Sequence, residues 1–397
     1  MFDWRSIAST LRPGRETESQ RRQAARAQAI EPLLRMETAT FVAANPSFER
    51  YVGQSVFFAT ACAPQMLVDE DAALLAYLIW WIFITDTYID KQDMSFLYDS
   101  EQVERTLLAC LPALVRRYGE SELRRIGWSS LPPAPWLDSE SALPIEDTNK
   151  PDEERIFSDA LTPWLERVAQ RGVGPRRIAR QVARCIGSMR QELAWSCALS
   201  QHAPRSRLPT LDQYLLVAAR TTGLHPTAAL VASLAPLSGQ AYRRAWLLVE
   251  RAAPIIRLAN DLASDDTDGM ESHLTALHAA HFEQEGALAC AHGWTAEDKR
   301  QARSVVASAL QRRLRAFAAS LEDATRSEGP PTDALSQFVT RTLATSLAAY
   351  GDGSDYVTPE PLRLVEPSLP AIGADSDTEF APYLDLSVGY ADQPIAH

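Results

Sequence analysis

The feature that most constrains the fold is an apolar segment, DEDAALLAYLIWWIFITD, at residues 69–86. Its first three residues are acidic, which suits the positive end of a helix dipole. The residues that follow are apolar on nearly every helical face, so the helix must be surrounded by other helices. The apolar run itself, residues 72–85, is too short to cross a bilayer, which takes about 20 residues. The segment therefore predicts a buried helix at the centre of a helical protein.

Helical patterns dominate the rest of the chain as well, and alternating strand patterns are nearly absent. Glycine and proline residues punctuate the helical stretches. The further stretches predicted as helix lie at roughly 17–43, 101–118, 152–170, 174–200, 209–223, 226–235, 239–268, 272–285, 294–325 and 331–350. The predicted fold class is all-α.

The predicted organisation is a single helical domain over residues 21–352, flanked by two extensions. Residues 1–20 form the N-terminal extension. Within the domain, residues 128–151 are rich in proline and serine and predict a long surface loop. Residues 353–397 form an acidic, proline-rich tail with a composition typical of disordered segments.

The charge balance narrows the classes of function. The net charge is −12, which argues against general binding to nucleic acid or to anionic membranes. An anionic substrate would need metal ions or a few well-placed arginines. The five cysteines are odd in number and far apart, and the N-terminus lacks the apolar core of a signal peptide. We therefore expect a cytoplasmic protein with reduced thiols and no membrane span.

Two sets of oxygen-bearing side chains each follow an apolar stretch. Asp86 and Asp90 are four residues apart and share one helical face. This pair alone favours a helix end that reaches solvent, and the alternative is a site for a hard cation such as Mg²⁺. Asn260, Ser264 and Asp268 share a face in the same way, and here too a solvated helix end is the alternative. Together the two sets indicate two helices that line one cavity, with metal ions holding a diphosphate between them.

At this point the sequence resembles the class I terpene synthases of microbes. Residues 83–90, FITDTYID, are similar to the aspartate-rich D-D-x-x-D motif, with Thr87 at the second aspartate. The family's N-D-x-x-S-x-x-x-E motif is matched by residues 260–268, where Asp268 replaces the glutamate. The segment LPTLDQYLLVAARTTGLHP resembles a third family stretch and places Arg220 on the arginine that senses the diphosphate. Taken alone, Arg220 also fits a surface arginine on an amphipathic helix.

Two further similarities concern the pocket and the last helix. Gly223 and Leu224 fall on the family's helix-break residues, which couple diphosphate sensing to ionisation. The family often ends its last helix in Arg-Tyr, and this chain has Ala349-Tyr350 there. Phe83 lies one turn before Asp86, so it either faces the cavity or belongs to the ordinary core.

The resemblance implies a single-domain helical bundle around a central apolar cavity. It implies a cluster of three Mg²⁺ ions, for which Mn²⁺ can substitute, held by the two oxygen-bearing sets: Asp86, Asp90, Asn260, Ser264 and Asp268. Arg220 and Tyr350 would bind the diphosphate, and the ring of Phe83 and the carbonyl of Leu224 would face the carbocation.

The implied activity is cyclisation of a prenyl diphosphate, with the C15 farnesyl substrate favoured over the C20 geranylgeranyl one. Three alternatives stay open: a synthase acting on a preformed bicyclic diphosphate, a prenyl-chain elongating synthase, and an inactive helical protein that binds isoprenoids. The expected partner is the prenyl diphosphate, without nucleic acid, and a homodimer is compatible with this reading.

Overall fold

The structure is a computed structural model that describes residues 18–90, 152–172, 175–200, 208–264, 274–285, 294–328 and 333–351. Within these ranges all regular structure is helical, which confirms the all-α prediction. A short 3-10 helix lies at Pro46–Glu49. The α-helices, in chain order, are α1 (Glu18–Ala44), α2 (Arg50–Cys62), α3 (Asp69–Asp90), α4 (Asp152–Gln170), α5 (Pro175–Ser200), α6 (Leu211–Ala218), α7 (Leu224–Leu234), α8 (Gly239–Ser264), α9 (Ala276–Glu285), α10 (Ala296–Glu328) and α11 (Ala334–Gly351).

The predicted central helix is α3, which packs against α1, α2, α4 and α7. Trp80 and Trp81 are 0% and 1% exposed, as expected for a helix that is apolar on every face. Two polar groups of aromatic residues in this region satisfy backbone carbonyls of neighbouring helices. The Tyr77 hydroxyl donates to the carbonyl of Ala160 at 2.7 Å, and the indole of Trp164 donates to that of Leu74 at 2.9 Å.

Helix α8 is the second long element of the core and packs mainly against α10 and α11, with further contacts to α6, α7 and α9. The predicted helix at 239–268 is confirmed up to Ser264, and its last four residues lie outside the described part of the chain. The predicted helix at 101–118, the loop at 128–151 and the C-terminal tail lie outside it as well. The division into a domain and two extensions therefore stays a prediction.

Two elements differ from the predicted pattern. Helix α2 was not predicted, because RYVGQSVFFATAC is rich in β-branched and aromatic residues and lacks a charged face. Packing between α1, α3 and α11 overrides that local preference. The helix predicted at 209–223 ends early, at Ala218. The hydroxyls of Thr221 and Thr222 donate to the carbonyls of Ala218 and Ala219, each at 2.9 Å, and thereby stabilise a turn instead.

A glycine with left-handed backbone geometry joins this turn to α7. Gly223 has φ +74°, a conformation that favours glycine. A Cβ at this position would lie 2.8 Å from Cδ1 of Ile82, so the missing side chain also lets α7 approach α3 closely. Helix α7 therefore begins against the wall of α3 at the predicted break. Among the described helices, none combines the length and the apolar character needed for a membrane span.

Candidate functional site

Five helices enclose a largely apolar pocket: α2, α3, α7, α8 and α11. Its empty space is about 510 Å³, including the part that opens to solvent. The residues that line it are Phe58, Cys62, Ile79, Ile82, Phe83, Thr222, Gly223, Leu224, Thr227, Ile256, Phe338, Thr342 and Ser346. The list includes three residues that the sequence placed at the cavity, namely Phe83, Gly223 and Leu224.

Phe83 is half-buried on this wall. Its ring lies 5.7 Å from that of Phe58 in an edge-to-face arrangement and 6.2 Å from that of Tyr51. Such contacts hold an aromatic ring in a defined orientation. Phe83 thus packs against core aromatic rings and also lines the pocket. The two alternatives from the sequence, a core residue or a cavity residue, both apply.

Three predicted polar residues follow pocket-lining residues by one helical turn. Residues four apart share a helical face, so these side chains lie on the faces that form the pocket wall. All three are half-buried. The pairs of wall residue and polar residue are Ile82 and Asp86 on α3, Ile256 and Asn260 on α8, and Ser346 and Tyr350 on α11.

The remaining predicted ligands are only partly described. Ser264 is the last residue of α8, and its hydroxyl donates to the carbonyl of Asn260 at 3.1 Å. Asp90 is the last residue of α3, but its side chain and the whole of Asp268 lie outside the described part. Among described residues, no group of three or more His, Cys, Asp or Glu side chains could hold a metal ion. The predicted ligand set is not such a group, because Asn260 and Ser264 would bind a metal ion through an amide oxygen and a hydroxyl oxygen.

A buried polar network stands beside these residues, centred on Arg257 of α8. Its Nε lies 2.8 Å from the Tyr214 hydroxyl and 2.9 Å from Oδ1 of Asp261. The Tyr214 hydroxyl in turn donates to Oδ2 of Asp261 at 2.8 Å, and the backbone amide of Ala276 donates to the same oxygen at 2.9 Å. The network therefore ties α8 to α6 and to the first residue of α9.

The outer nitrogens of Arg257 reach two more elements. Nη1 donates to the Thr221 hydroxyl at 3.3 Å, and Nη2 lies 3.4 Å from Oε1 of Glu192 on α5. Burial raises the pKa of Glu192 to about 7, although the charge of Arg257 opposes that change. Burial alone would lower the pKa of Arg257, but neighbouring charges, including that of Asp86, hold it well above its ordinary value. Asp86 of α3 is therefore close enough to act on the network.

Arg220 occupies a different environment from the one that its predicted role suggests. It is exposed on the turn between α6 and α7. Burial opposes the change, but the hydrogen bonds from His225 and Trp246, with the charge of Arg220, lower the pKa of Glu250 to about 2. Glu250 lies seven residues before Arg257 on α8. The charge of Arg220 therefore acts on Glu250, and the charge of Asp86 acts on Arg257.

The sequence reasoning did not single out Arg257 or Thr221. A signal for Arg257 is present in IIRLAND, where an arginine and Asp261 are four residues apart inside an otherwise apolar stretch. Charged side chains in such a stretch are buried only when they are paired. Thr221 carries no comparable signal, because its contact depends on how α6 and α8 pack.

Part of the chain matches the model of a known protein family. Residues 135–285 match the model described as terpene synthase family 2, C-terminal metal binding. This range contains the predicted second motif at 260–268 and most of the Arg257 network. No curated protein matches the sequence.

Solved structures share the fold at low sequence identity. 2-Methylisoborneol synthase from Streptomyces coelicolor A3(2), in complex with Mg²⁺ and geranyl-S-thiolodiphosphate, is 16% identical. The match covers 88% of this chain and 94% of that protein, with a TM-score of 0.51. A double mutant of the SVS_A2 protein from ancestral sequence reconstruction is also 16% identical, with coverages of 83% and 85% and a TM-score of 0.54.

A third structure, linalool/nerolidol synthase from Streptomyces clavuligerus, is 15% identical, with coverages of 82% and 96% and a TM-score of 0.50. At such identities the likeness shows the fold alone, and the family model covers residues 135–285 of the 397-residue chain. In this range and in its fold, the chain is similar to class I terpene synthases of the bacterial type.

Proposed function

We propose that the protein is a Mg²⁺-dependent terpene cyclase that ionises a linear prenyl diphosphate, with the C15 farnesyl substrate favoured over the C20 geranylgeranyl one. One observation carries this proposal. The apolar wall of the pocket continues, one helical turn further along α3 and α8, into Asp86 and Asn260. A substrate with a hydrocarbon tail and a diphosphate head matches this division into an apolar wall and a polar end.

The donor set fits magnesium. Asp86, Asn260 and Ser264 offer a carboxylate, an amide and a hydroxyl oxygen, and Mg²⁺ prefers oxygen ligands shared with substrate phosphates. Asp90 and Asp268 complete the proposed set, which would hold three ions, and Mn²⁺ can replace them. The Mg²⁺ and the diphosphate analogue bound to 2-methylisoborneol synthase support this reading. When bound, the ions supply positive charge that stabilises the departing diphosphate.

The chain's own residues provide the rest of the chemistry. The bond between the allylic carbon and the diphosphate oxygen breaks, and its electron pair leaves with the diphosphate. Arg220 and Tyr350 are proposed to bind that leaving group. Stabilisation of charge at the breaking bond is the main source of rate enhancement in such a site.

The pocket then controls the fate of the allylic cation. The apolar side chains exclude water, and the face of the Phe83 ring attracts positive charge. The carbonyl of Leu224, next to the Gly223 break, offers a second partial negative charge. Cyclisation ends when the cation loses a proton or captures one water molecule.

The experiment is turnover of the purified full-length protein with C10, C15, C20 and C25 linear prenyl diphosphates and Mg²⁺. Released diphosphate and hydrocarbon products are measured together. We expect release with cyclic products, the highest rate with the C15 substrate, and loss of activity when EDTA removes the metal. Products longer than the substrate, formed with added isopentenyl diphosphate, would favour a chain-elongating synthase. Release of no diphosphate from any of the four would refute the proposal for linear substrates.

A further inference from the structure

Arg257 stands between the pocket and the proposed ligands. It directly follows the wall residue Ile256 on α8 and precedes Asn260 by three residues. Its side chain is 17% exposed, so it is largely buried. This position is where the proposed function requires positive charge, namely at the polar end of an apolar pocket.

The guanidinium is anchored on one side and loosely held on the other. Its Nε makes the two short contacts, to Tyr214 and Asp261, at 2.8 and 2.9 Å. The contacts of Nη1 and Nη2, to Thr221 and Glu192, are longer, at 3.3 and 3.4 Å. A guanidinium presents five N–H donors in a rigid fork, and a phosphate oxygen is a stronger acceptor than a hydroxyl. The two outer nitrogens can therefore change partners while Nε stays in place.

The surrounding charges favour such an exchange. Asp261, Glu192 and Asp86 all act on Arg257, so one cation faces three carboxylates. Metal binding at Asp86 would neutralise one of these. The attraction between Arg257 and a neighbouring anion such as diphosphate then increases, because less of its positive charge is offset locally.

Arg257 also contacts the turn that leads into the helix break. The Thr221 hydroxyl, which accepts from Nη1, donates to the carbonyl of Ala218 at 2.9 Å. Two residues later the chain reaches Gly223, which with Leu224 lines the pocket. A movement of the guanidinium is therefore transmitted to the backbone that faces the hydrocarbon.

We propose that Arg257 is a further diphosphate-binding residue of this enzyme, and that its switch from Thr221 and Glu192 to a diphosphate oxygen repositions the turn at residues 219–223. The inference rests on the proposed function and adds a second guanidinium to the one at Arg220. Under this proposal, a residue of α8, the helix that carries the second motif, also senses the bound diphosphate.

The first test is calorimetric binding of inorganic diphosphate with Mg²⁺ to the full-length protein and its variants. Lysine in Arg257→Lys keeps one charge but loses the fork, so we expect diphosphate affinity to fall by about tenfold or more. The matched control is Arg251→Lys, the same change on the same helix, where the side chain donates to the carbonyl of Ala316 instead. Circular dichroism and the melting temperature verify that each variant is folded.

The second test follows the turn itself by hydrogen exchange of residues 219–227. In the native protein, Mg²⁺ with diphosphate should change exchange in this segment, and Arg257→Lys should abolish that change. Thr221→Val separates the two parts of the inference, because it removes the link to the turn and leaves Arg257 intact. We expect Thr221→Val to bind diphosphate within about twofold of the native protein while losing most of the exchange response.

The outcomes distinguish this inference from the proposed function. Native protein that binds no diphosphate with Mg²⁺ would overturn both. Native binding together with unchanged affinity in Arg257→Lys would overturn the role of Arg257 alone, whatever the turnover measurements give. Equal exchange responses in native protein and Thr221→Val would overturn the coupling through Thr221.

Discussion

Helices α3 and α8 both lead into proposed metal ligands, yet they are held in place by different interactions. Helix α3 is held by apolar packing, with Trp80 and Trp81 fully enclosed by neighbouring helices. Helix α8 also buries apolar side chains such as Leu258, but in addition its Arg257 and Asp261 bind partners from α5, α6 and α9. One half of the site thus depends on apolar packing, and the other depends on apolar packing together with a buried polar network.

This difference separates the stability of a helix in the core from the precision with which its ligand side chains are oriented. Apolar burial is strong but has no directional preference, so it fixes α3 in the core without specifying the orientation of Asp86. Hydrogen bonds and ion pairs are directional, so they define where Asn260 lies relative to α5 and α6. We therefore expect changes in α3 to act mainly on folding and changes in the α8 network to act also on ligand binding.

The largest effect should come from the packing of α3. Trp80 is 0% exposed, and its ring lies 5.5 Å from Tyr77 and 6.0 Å from Phe41. Trp80→Ala leaves a cavity and should reduce the free energy of unfolding by about 3–5 kcal/mol. Urea denaturation measures this, and Met36→Ala, at a side chain that is 70% exposed, is the control. A loss below about 1 kcal/mol would mean that the core closes around the gap.

The second prediction concerns the ligand at the end of α3. Asp86→Asn removes the charge that a metal ion needs but keeps the side-chain shape, so diphosphate release should fall by about 10²–10³-fold. The melting temperature should stay close to the native value. Asp69→Asn, at the exposed start of the same helix, provides the matched control. Native-like turnover in Asp86→Asn would remove this residue from the metal site.

A smaller change in stability, with a change in binding, should follow from the α8 network. Asp261→Asn removes the charge opposite Arg257 and should cost about 1.5–3 kcal/mol of unfolding free energy. Because Asn260 is its neighbour, the affinity for Mg²⁺ and diphosphate should fall too. The control is Asp212→Asn, which breaks an exposed ion pair with Arg313. Lower stability with full affinity would show that the network does not position Asn260.

The last prediction is a pH dependence that arises from Glu192, in the network around Arg257. The folded protein holds the Glu192 proton up to about pH 7, whereas the unfolded chain releases it near the ordinary value of 4.5. Between these values the folded state binds more protons, so its stability falls as the pH rises and levels off above about 7. Each pKa unit corresponds to about 1.4 kcal/mol, so the loss should be roughly 2–3 kcal/mol between about pH 5 and pH 8.

The comparison of native protein with Glu192→Gln isolates this contribution, because other carboxylates titrate equally in both. The difference between their unfolding free energies should change across the same pH window. Parallel curves at all pH values would contradict a raised pKa at Glu192. Trp80→Ala should leave the pH dependence as it is in the native protein.

The sequence predicted the apolar half of the site better than the polar half. The helical periodicity of α3 is a local signal that placed Phe83 near the pocket, and the resemblance to the terpene synthases placed Gly223 and Leu224 there. Helix α2 could not be predicted, because its composition favours a strand and only packing against its neighbours makes it helical. The sensing role of Arg220 came from the resemblance to the terpene synthases and stays a prediction. Which arginine acts on Asp86 depends on how the helix bundle places α3 and α8, and that information is non-local.

The contact between Gly223 and Ile82 has a consequence for engineering. At this point the pocket wall is made by Gly223, which has no side chain and directly precedes α7, and by the branched side chain of Ile82 on α3. Residue 223 therefore cannot be made smaller, and a larger side chain there would displace α3. A library aimed at longer substrates or new product shapes should vary residue 82 toward smaller side chains and keep the glycine constant.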